Sequence, residues 1–225
     1  MCFNISFTKT AEYIASVYGM ELSEIPPLPE YSNASGFARP RVPVLYKKGD
    51  DKKISLMQWG LIPRWIRTPE DAEKISNKTL NARCETASRL PSFRCSFKTG
   101  RCIVLTDGFY EPHHPPGGGR PVTYYISRGD RGVISLGGLY LVWKNPGDSG
   151  LVYSFAVLTC PANKLLEKIH NRKKRMPVIL PDNPSMLDLW LDPELSGEDL
   201  EEKYFRPRET DILEARAVAK TGVDS

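Results

Sequence analysis

Residue 2 is a cysteine, directly behind the initiator methionine in "MCFNIS". Cysteine is small enough to belong to the class of residues after which Met1 is commonly removed. A chain that starts at Cys2 carries an α-amine and a thiol on the same residue, a pair no internal cysteine has. Three further polar residues stand out: Asn81 in "NARCET" (81–86), Glu111 in "TDGFYEP" (106–112) and His170 in "KIHNRKKRMPVIL" (168–180). One Glu, one His, one Asn and an N-terminal Cys suffice for carbonyl chemistry, with the amine as nucleophile, the Glu and His moving protons and the Asn hydrogen-bonding. Taken singly, each has a plainer reading, since a cysteine at position two is usually incidental and a lone Glu or His is more often structural.

Groups suited to a polyanion accompany them. In "WGLIPRW" (59–65) two tryptophans bracket a Gly and a Pro. This is either a strand ending in a packed turn or an aromatic placed beside arginines to stack on nucleobases. Asn81, Arg83 and Glu85 alternate, so an extended segment would point all three to one side and Ala82 and Cys84 to the other. Arg83 offers a planar fork for phosphate or carboxylate, with Glu85 as its expected structural ion-pair partner. "NRKKR" (171–175) concentrates Arg172, Lys173, Lys174 and Arg175, and a charge run in isolation reads as a solvated face.

These residues must be positioned by short elements. Residues 8–18 put Ala11, Ile14, Ala15 and Tyr18 on one helical face, with Gly19 as a stop. Runs at 41–46, 54–59, 101–106, 122–127, 132–143 and 151–159 read as strands, with 144–150 as a hairpin loop between the last two. Residues 161–170 predict a short helix with Pro161 in its first turn, and 183–191 a second one with Asn183 as N-cap and Pro184 at the first helical position. Residues 25–36 and 111–121 read as loops. Many strands with few helices and no regular βαβ alternation predict an α+β fold, a mainly antiparallel sheet or barrel core with short flanking helices. Neither loop separates segments of different composition, so 1–225 is expected to be one domain.

Composition sets the outer bounds. The chain has 225 residues, a formal charge of +4, five cysteines and three histidines. The odd cysteine count without CxxC indicates neither a disulfide framework nor a zinc site; no metal and no cofactor are expected. No run of about 18 apolar residues is present, so no membrane span is expected. No secretory signal is apparent either, which predicts the cytoplasm, or the nucleus in a eukaryote.

In their order, the Met-Cys start, "WGLIPRW", "NARCET", "RCIVLTDGFYEP" and "IHNRKKRMPVIL" resemble the SRAP (SOS response-associated peptidase) family, from residue 2 to about 181 and on to "ARAVAKTG" near the C-terminus. The resemblance implies the SRAP fold and a sensor of abasic sites in single-stranded DNA, acting as a monomer, that crosslinks covalently to the lesion. It implies roles as well. Asn81 orients the N-terminus and the sugar, Glu111 is the general acid/base, and His170 handles the deoxyribose oxygen. Trp65 stacks near the lesion; Arg83 and a basic residue after His170 hold phosphates, with Arg172 and Arg175 both open as that residue and Lys173 and Lys174 beside them. Two departures are visible. The family commonly begins Met-Cys-Gly-Arg, with the Arg on DNA, where this chain has Phe3 and Asn4; and "HNRKKRMP" is longer than the usual histidine motif. The added lysines are expected to replace the missing Arg. The family's peptidase name implies an alternative, an N-terminal-nucleophile autopeptidase or amidohydrolase using Cys2. A noncatalytic single-strand-binding module is a third reading.

Overall fold

The computed structural model describes residues 2–147, 150–207 and 212–218. Twelve strands among these residues fall into two sheets. The larger one begins with β3 (Arg41–Lys48) and β4 (Asp51–Trp59), a hairpin paired in unbroken register from Arg41↔Gln58 to Lys48↔Asp51. β6 (Arg101–Thr106) pairs with β3, β9 (Ile134–Lys144) with β6, and β10 (Leu151–Pro161) with β9, all antiparallel. β10 then returns to β4 in parallel, through Ser154↔Gln58 and Phe155↔Trp59. The five strands therefore close into a barrel with no free edge. Every residue of β6 is buried, the pattern of a strand covered on both faces.

The second sheet has the order β12 (Leu213–Ala217), β8 (Val122–Arg128), β7 (Gly108–His113), β1 (Asn4–Phe7), β2 (Tyr31–Ser35). It carries the chain's beginning and the strand that bears Glu111. Two short strands join the barrel through β10: β5 (Asn81–Arg83) by Val157↔Asn81 to Thr159↔Arg83, and β11 (Arg175–Pro177) by Thr159↔Pro177 to Pro161↔Arg175.

The predicted strands stand close to their expected bounds, and the 132–143 and 151–159 runs form a hairpin. Of its loop, residues 148–149 lie outside the described residues, as does the end of "ARAVAKTG". Helix α1 (Ala11–Tyr18) buries Ile14 and Tyr18, is capped by the Thr10 side chain and ends on Gly19 in the left-handed region. α2 (Pro69–Ser76) was not anticipated; Thr68 caps it, with Pro69 in its first turn. α3 (Cys84–Ala87) and α4 (Arg94–Thr99) are short. α5 (Lys164–Ile169) starts later than the sequence suggests: Pro161 ends β10, and the Asn163 side chain accepts from Leu166 N–H as the cap. α6 (Pro184–Trp190) has the expected Asn183 cap, and α7 is Gly197–Leu200. Two expected loops are shorter than predicted, because β2 occupies 31–35 and β7 runs through His113. No helix among the described residues is long and apolar enough to cross a membrane.

Packing fixes the segment between β4 and β5. Trp59 is fully buried, stacks on Phe155 at 6.0 Å and donates its indole N–H to Leu80 O at 2.9 Å. Gly60 follows at φ 110, donating to Phe155 O at 2.9 Å. Thr79 Oγ1 donates to Leu61 O at 2.6 Å, so the turn after Trp59 is stitched to the approach to Asn81. A Cβ on Gly60 would lie 2.7 Å from Ser76 Cβ and 2.8 Å from Ser76 O. Gly60→Ala is therefore expected to destabilise the fold by about 1–3 kcal/mol from backbone strain alone. Thermal unfolding should show a Tm lowered by roughly 2–4 °C per kcal/mol; an unchanged Tm would show that the turn relaxes freely.

Candidate active site

The elements named as chemical in the sequence converge on Cys2. β1 pairs with β7, Asn4 opposite Tyr110 and Ile5 opposite Phe109, and this register brings the residues before β1 alongside Glu111. Cys2 is fully buried and its thiol donates to Asn4 O at 3.8 Å. From the barrel side, Asn81 Nδ2 donates to Cys2 O at 2.8 Å, tying β5 to the start of the chain. Asn81 Oδ1 is buried with no hydrogen-bond partner among the described residues.

Glu111 shares a face of β7 with Phe109, and both are fully buried. Removing a carboxyl from water disfavours its charged form, and burial pushes Glu111 up to about 7. The Cys2 thiol is pushed well above its ordinary range by burial first and by the neighbouring Glu111 charge second. Glu111 is thus near half-protonated at neutral pH, the condition for an efficient proton donor and acceptor, while the thiol stays protonated.

His170 caps the C-terminus of α5. Its Nδ1 lies 2.8 Å from Arg175 O and 3.7 Å from Glu111 Oε2. A carbonyl oxygen only accepts, so Nδ1 carries the proton in that contact and Nε2 is the lone-pair nitrogen of the neutral ring. Burial is the main cause that holds the imidazole below its ordinary range, favouring the neutral form.

The basic segment after His170 is anchored to β7. Asn171 and the His114 backbone exchange hydrogen bonds of 2.6 and 3.1 Å, and the His113 ring meets Lys168 O at 2.9 Å. Arg172 and Lys173 are exposed; Lys174, also exposed, pairs with Glu167 at 2.7 Å. Arg175 is different. It is buried, its guanidinium forks onto Glu85 at 2.7 and 2.9 Å, and it also donates to Thr159 O at 2.6 Å. This corrects one expectation and separates two open candidates. Glu85 pairs with Arg175 rather than Arg83, because the extended segment ends at Arg83 and α3 turns Glu85 away from the Asn81 side. And of the two open arginines, Arg172 is the one at the surface. Sequence spacing could not reveal the Glu85–Arg175 pair, which spans 90 positions.

Arg83 is exposed, on the same end of β10 as the basic segment, since β5 pairs at Thr159 and β11 from Thr159 to Pro161. "WGLIPRW" divides: Trp59 is core, whereas Trp65 is 52% exposed, with Arg64 and Arg67 exposed around it. Among the described residues, no group of three or more His, Cys, Asp or Glu stands where it could hold a metal ion.

Comparison with known proteins gives the arrangement a lineage. The chain is 31% identical over 215 residues to the abasic site processing protein YoqW of Bacillus subtilis, covering 95% of this chain and 91% of that one. It is 32% identical over 159 residues to the abasic site processing protein HMCES of Xenopus tropicalis, covering 63% of this chain and 46% of the relative. A crystal structure of a Bacteroides thetaiotaomicron protein superposes with a TM-score of 0.84 at 31% identity, over 97% of this chain and 93% of the other. One from Bordetella bronchiseptica gives 0.80 at 28% identity, over 97% and 100%. The family profile described as SOS response associated peptidase (SRAP) matches residues 1–223, and the chain belongs to that family.

Proposed function

We propose that this protein processes abasic sites, binding single-stranded DNA and capturing the lesion's aldehyde through Cys2 after Met1 is removed. The observation that carries the reading is the convergence of Asn81, Glu111 and His170 on Cys2, together with relatives named as abasic site processing proteins.

The chemistry runs in two steps. An abasic deoxyribose equilibrates with a ring-opened aldehyde, and His170 handles the proton of the sugar oxygen during opening. The freed Cys2 α-amine has a reference pKa of about 7.7–8.0, so part of it is neutral at physiological pH. It attacks the aldehyde carbon; Glu111 donates the proton with which the carbinolamine oxygen leaves as water, giving an imine. The thiol then adds across the C=N bond: sulfur bonds to carbon, its proton goes to nitrogen, and a five-membered thiazolidine closes. Both nucleophiles sit on one residue, so ring closure has the high effective molarity of an intramolecular reaction. Asn81 holds residue 2 by its carbonyl, and its buried Oδ1 is positioned to accept from the sugar or from the nitrogen. Arg83, Arg172 and Lys173 supply phosphate contacts, and Trp65 a stacking surface.

The rival reading, amide hydrolysis by a Cys2 thiolate, needs a thiol of lowered pKa. Burial and Glu111 move it the other way.

Intact mass should show a chain lacking Met1, and that protein should form a gel-stable adduct with an abasic oligonucleotide. Cys2→Ala should form none of the stable kind; crosslinking equal to wild type would exclude the thiazolidine route. Glu111→Gln should slow crosslinking roughly 10²–10⁴-fold with little change in DNA affinity. The wild-type rate should be bell-shaped in pH. The amine must be neutral, so the rate rises with pH toward its pKa. The acid must be protonated, and its protonated fraction falls as pH rises through about 7; the rate therefore peaks between that value and the amine's, and the falling limb above the peak should vanish in Glu111→Gln. Arg172→Ala with Lys173→Ala should flatten the salt dependence of single-strand binding by about 0.7 per lost phosphate contact; an unchanged slope would remove the basic segment from the interface.

A further inference from the structure

Beside Cys2 lies an aromatic pair that the chemistry above does not use. Phe3, partly buried, packs its ring 5.1 Å from that of Phe37 at an interplanar angle of 33°. Phe37 is 55% exposed; it and Trp65 are the two most exposed aromatic side chains among the described residues. An exposed Phe costs solubility, so its support is informative. Phe37 sits in a single 3₁₀ turn, Gly36–Ala38, closed by Arg39 in the left-handed region at φ 53. Gly36 N–H donates to Phe3 O at 2.8 Å, and Gly36 lies flat on the buried Trp59 ring, where a Cβ would come within 3.1 Å of it. Trp59 N–H in turn donates to Pro40 O at 3.0 Å. Next to the turn, Asn4 Nδ2 donates to Asn33 Oδ1 at 2.8 Å, so residue 4 is held in the sheet. The turn is thus fixed on the core and on the residue that follows Cys2, with Phe37 projecting from it. Arg39 and Arg41 follow it in sequence; Arg41 is exposed, and Arg39 pairs with Glu73 at 2.6 Å.

We propose that Phe37, backed by Phe3, is a stacking platform for the unpaired nucleobase next to the abasic residue held at Cys2. This deepens the function proposed above and rests on it for the identity of the DNA. Two observations favour a nucleobase over a protein side chain as the occupant: the exposed ring is backed by the residue that follows Cys2, and the exposed Arg41, which follows the turn in sequence, is a cation suited to a neighbouring phosphate. Stacking on an aromatic ring is tolerant of base identity, as a lesion-directed protein requires.

The test uses the full-length protein and a single strand carrying a tetrahydrofuran abasic analogue, which has no aldehyde and reports binding alone, with 2-aminopurine on one side or the other of the lesion. Wild-type protein should quench 2-aminopurine at one of the two positions. Phe37→Ala should abolish that quenching and weaken binding roughly 5- to 150-fold, the loss expected of a stack worth ~1–3 kcal/mol. Its salt slope should be unchanged, because no phosphate contact is removed. Phe37→Trp should retain both quenching and affinity. Because Phe37 is exposed, Tm should stay near wild type, which separates loss of the platform from loss of fold. Affinity within twofold of wild type for Phe37→Ala, or a fall in affinity accompanied by a smaller salt slope, would overturn the platform. Crosslinking of an aldehyde-bearing strand is measured in parallel. If Cys2→Ala crosslinks as well as wild type while Phe37→Ala loses quenching, the capture chemistry fails and the platform stands; if Cys2 is required and Phe37→Ala binds normally, the platform alone fails.

Discussion

Backbone pairing along β10 is the constraint from which the site follows. A barrel strand has hydrogen-bonding groups on two edges, and in a closed barrel both must be satisfied. β9 covers one edge from Leu151 to Val157, while β4 reaches the other only at Ser154 and Phe155. The remaining length is taken up by β5 and β11, three residues each. These two small strands are too short to persist without a template. Their job in the fold is to complete β10, and in doing so they deliver Asn81 at one position and the Arg175 carbonyl that holds His170 at another. The second sheet brings Cys2 and Glu111 up to the same place. The site lies where two independently paired sheets meet.

Two glutamates near this seam are accommodated differently: the Glu85 side chain is 43% exposed, whereas Glu111 is fully buried. Glu85 meets a buried guanidinium with two parallel hydrogen bonds, which hold its carboxyl below its ordinary pKa range even though partial burial acts the other way. Removing Glu85 would leave the buried Arg175 guanidinium without its carboxylate partner, the costly half of such a pair. Glu111 meets burial by retaining its proton up to about pH 7. The first arrangement rigidifies β11 against α3; the second leaves a proton in play beside Cys2. Perturbed carboxyls cluster at functional sites for this reason, and the contrast supports a structural role for Glu85 and, on the proposed route, a chemical one for Glu111.

Local signals in the sequence were legible wherever the physics is local. The side-chain cap at Asn183, the Gly19 stop and the apolar run 101–106 all appear where their residue types put them. Partner identity was not legible. Glu85 alternates with Arg83 and so reads as its mate, but the chain turns helical at Cys84 and the true partner arrives from β11. β2 escaped notice because Tyr31–Ser35 has little apolar content and gains its order from pairing with β1. Phe37 was equally silent: directly after the 25–36 loop, only the three-dimensional contact with Phe3 distinguishes it. The residues Cys2, Asn81, Glu111 and His170 were singled out by type, yet their convergence is a property of the two sheets.

On the proposed route, the burial that raises the thiol has a consequence for the order of bond formation. A thiolate at Cys2 would be the stronger nucleophile and would attack the aldehyde first, giving a hemithioacetal that reverses readily. With the thiol held protonated by burial and by Glu111, the amine is the group able to react, and the imine forms first. Imine formation creates an electrophilic carbon linked to the sulfur through only three atoms, N, Cα and Cβ, so that attack closes a five-membered ring. The proton the thiol must then lose has an acceptor close at hand in the imine nitrogen, which gains basicity as the C–S bond forms. Transfer from sulfur to nitrogen needs no free thiolate at any stage, so a high thiol pKa, a defect in a cysteine protease, is compatible with rapid ring closure here.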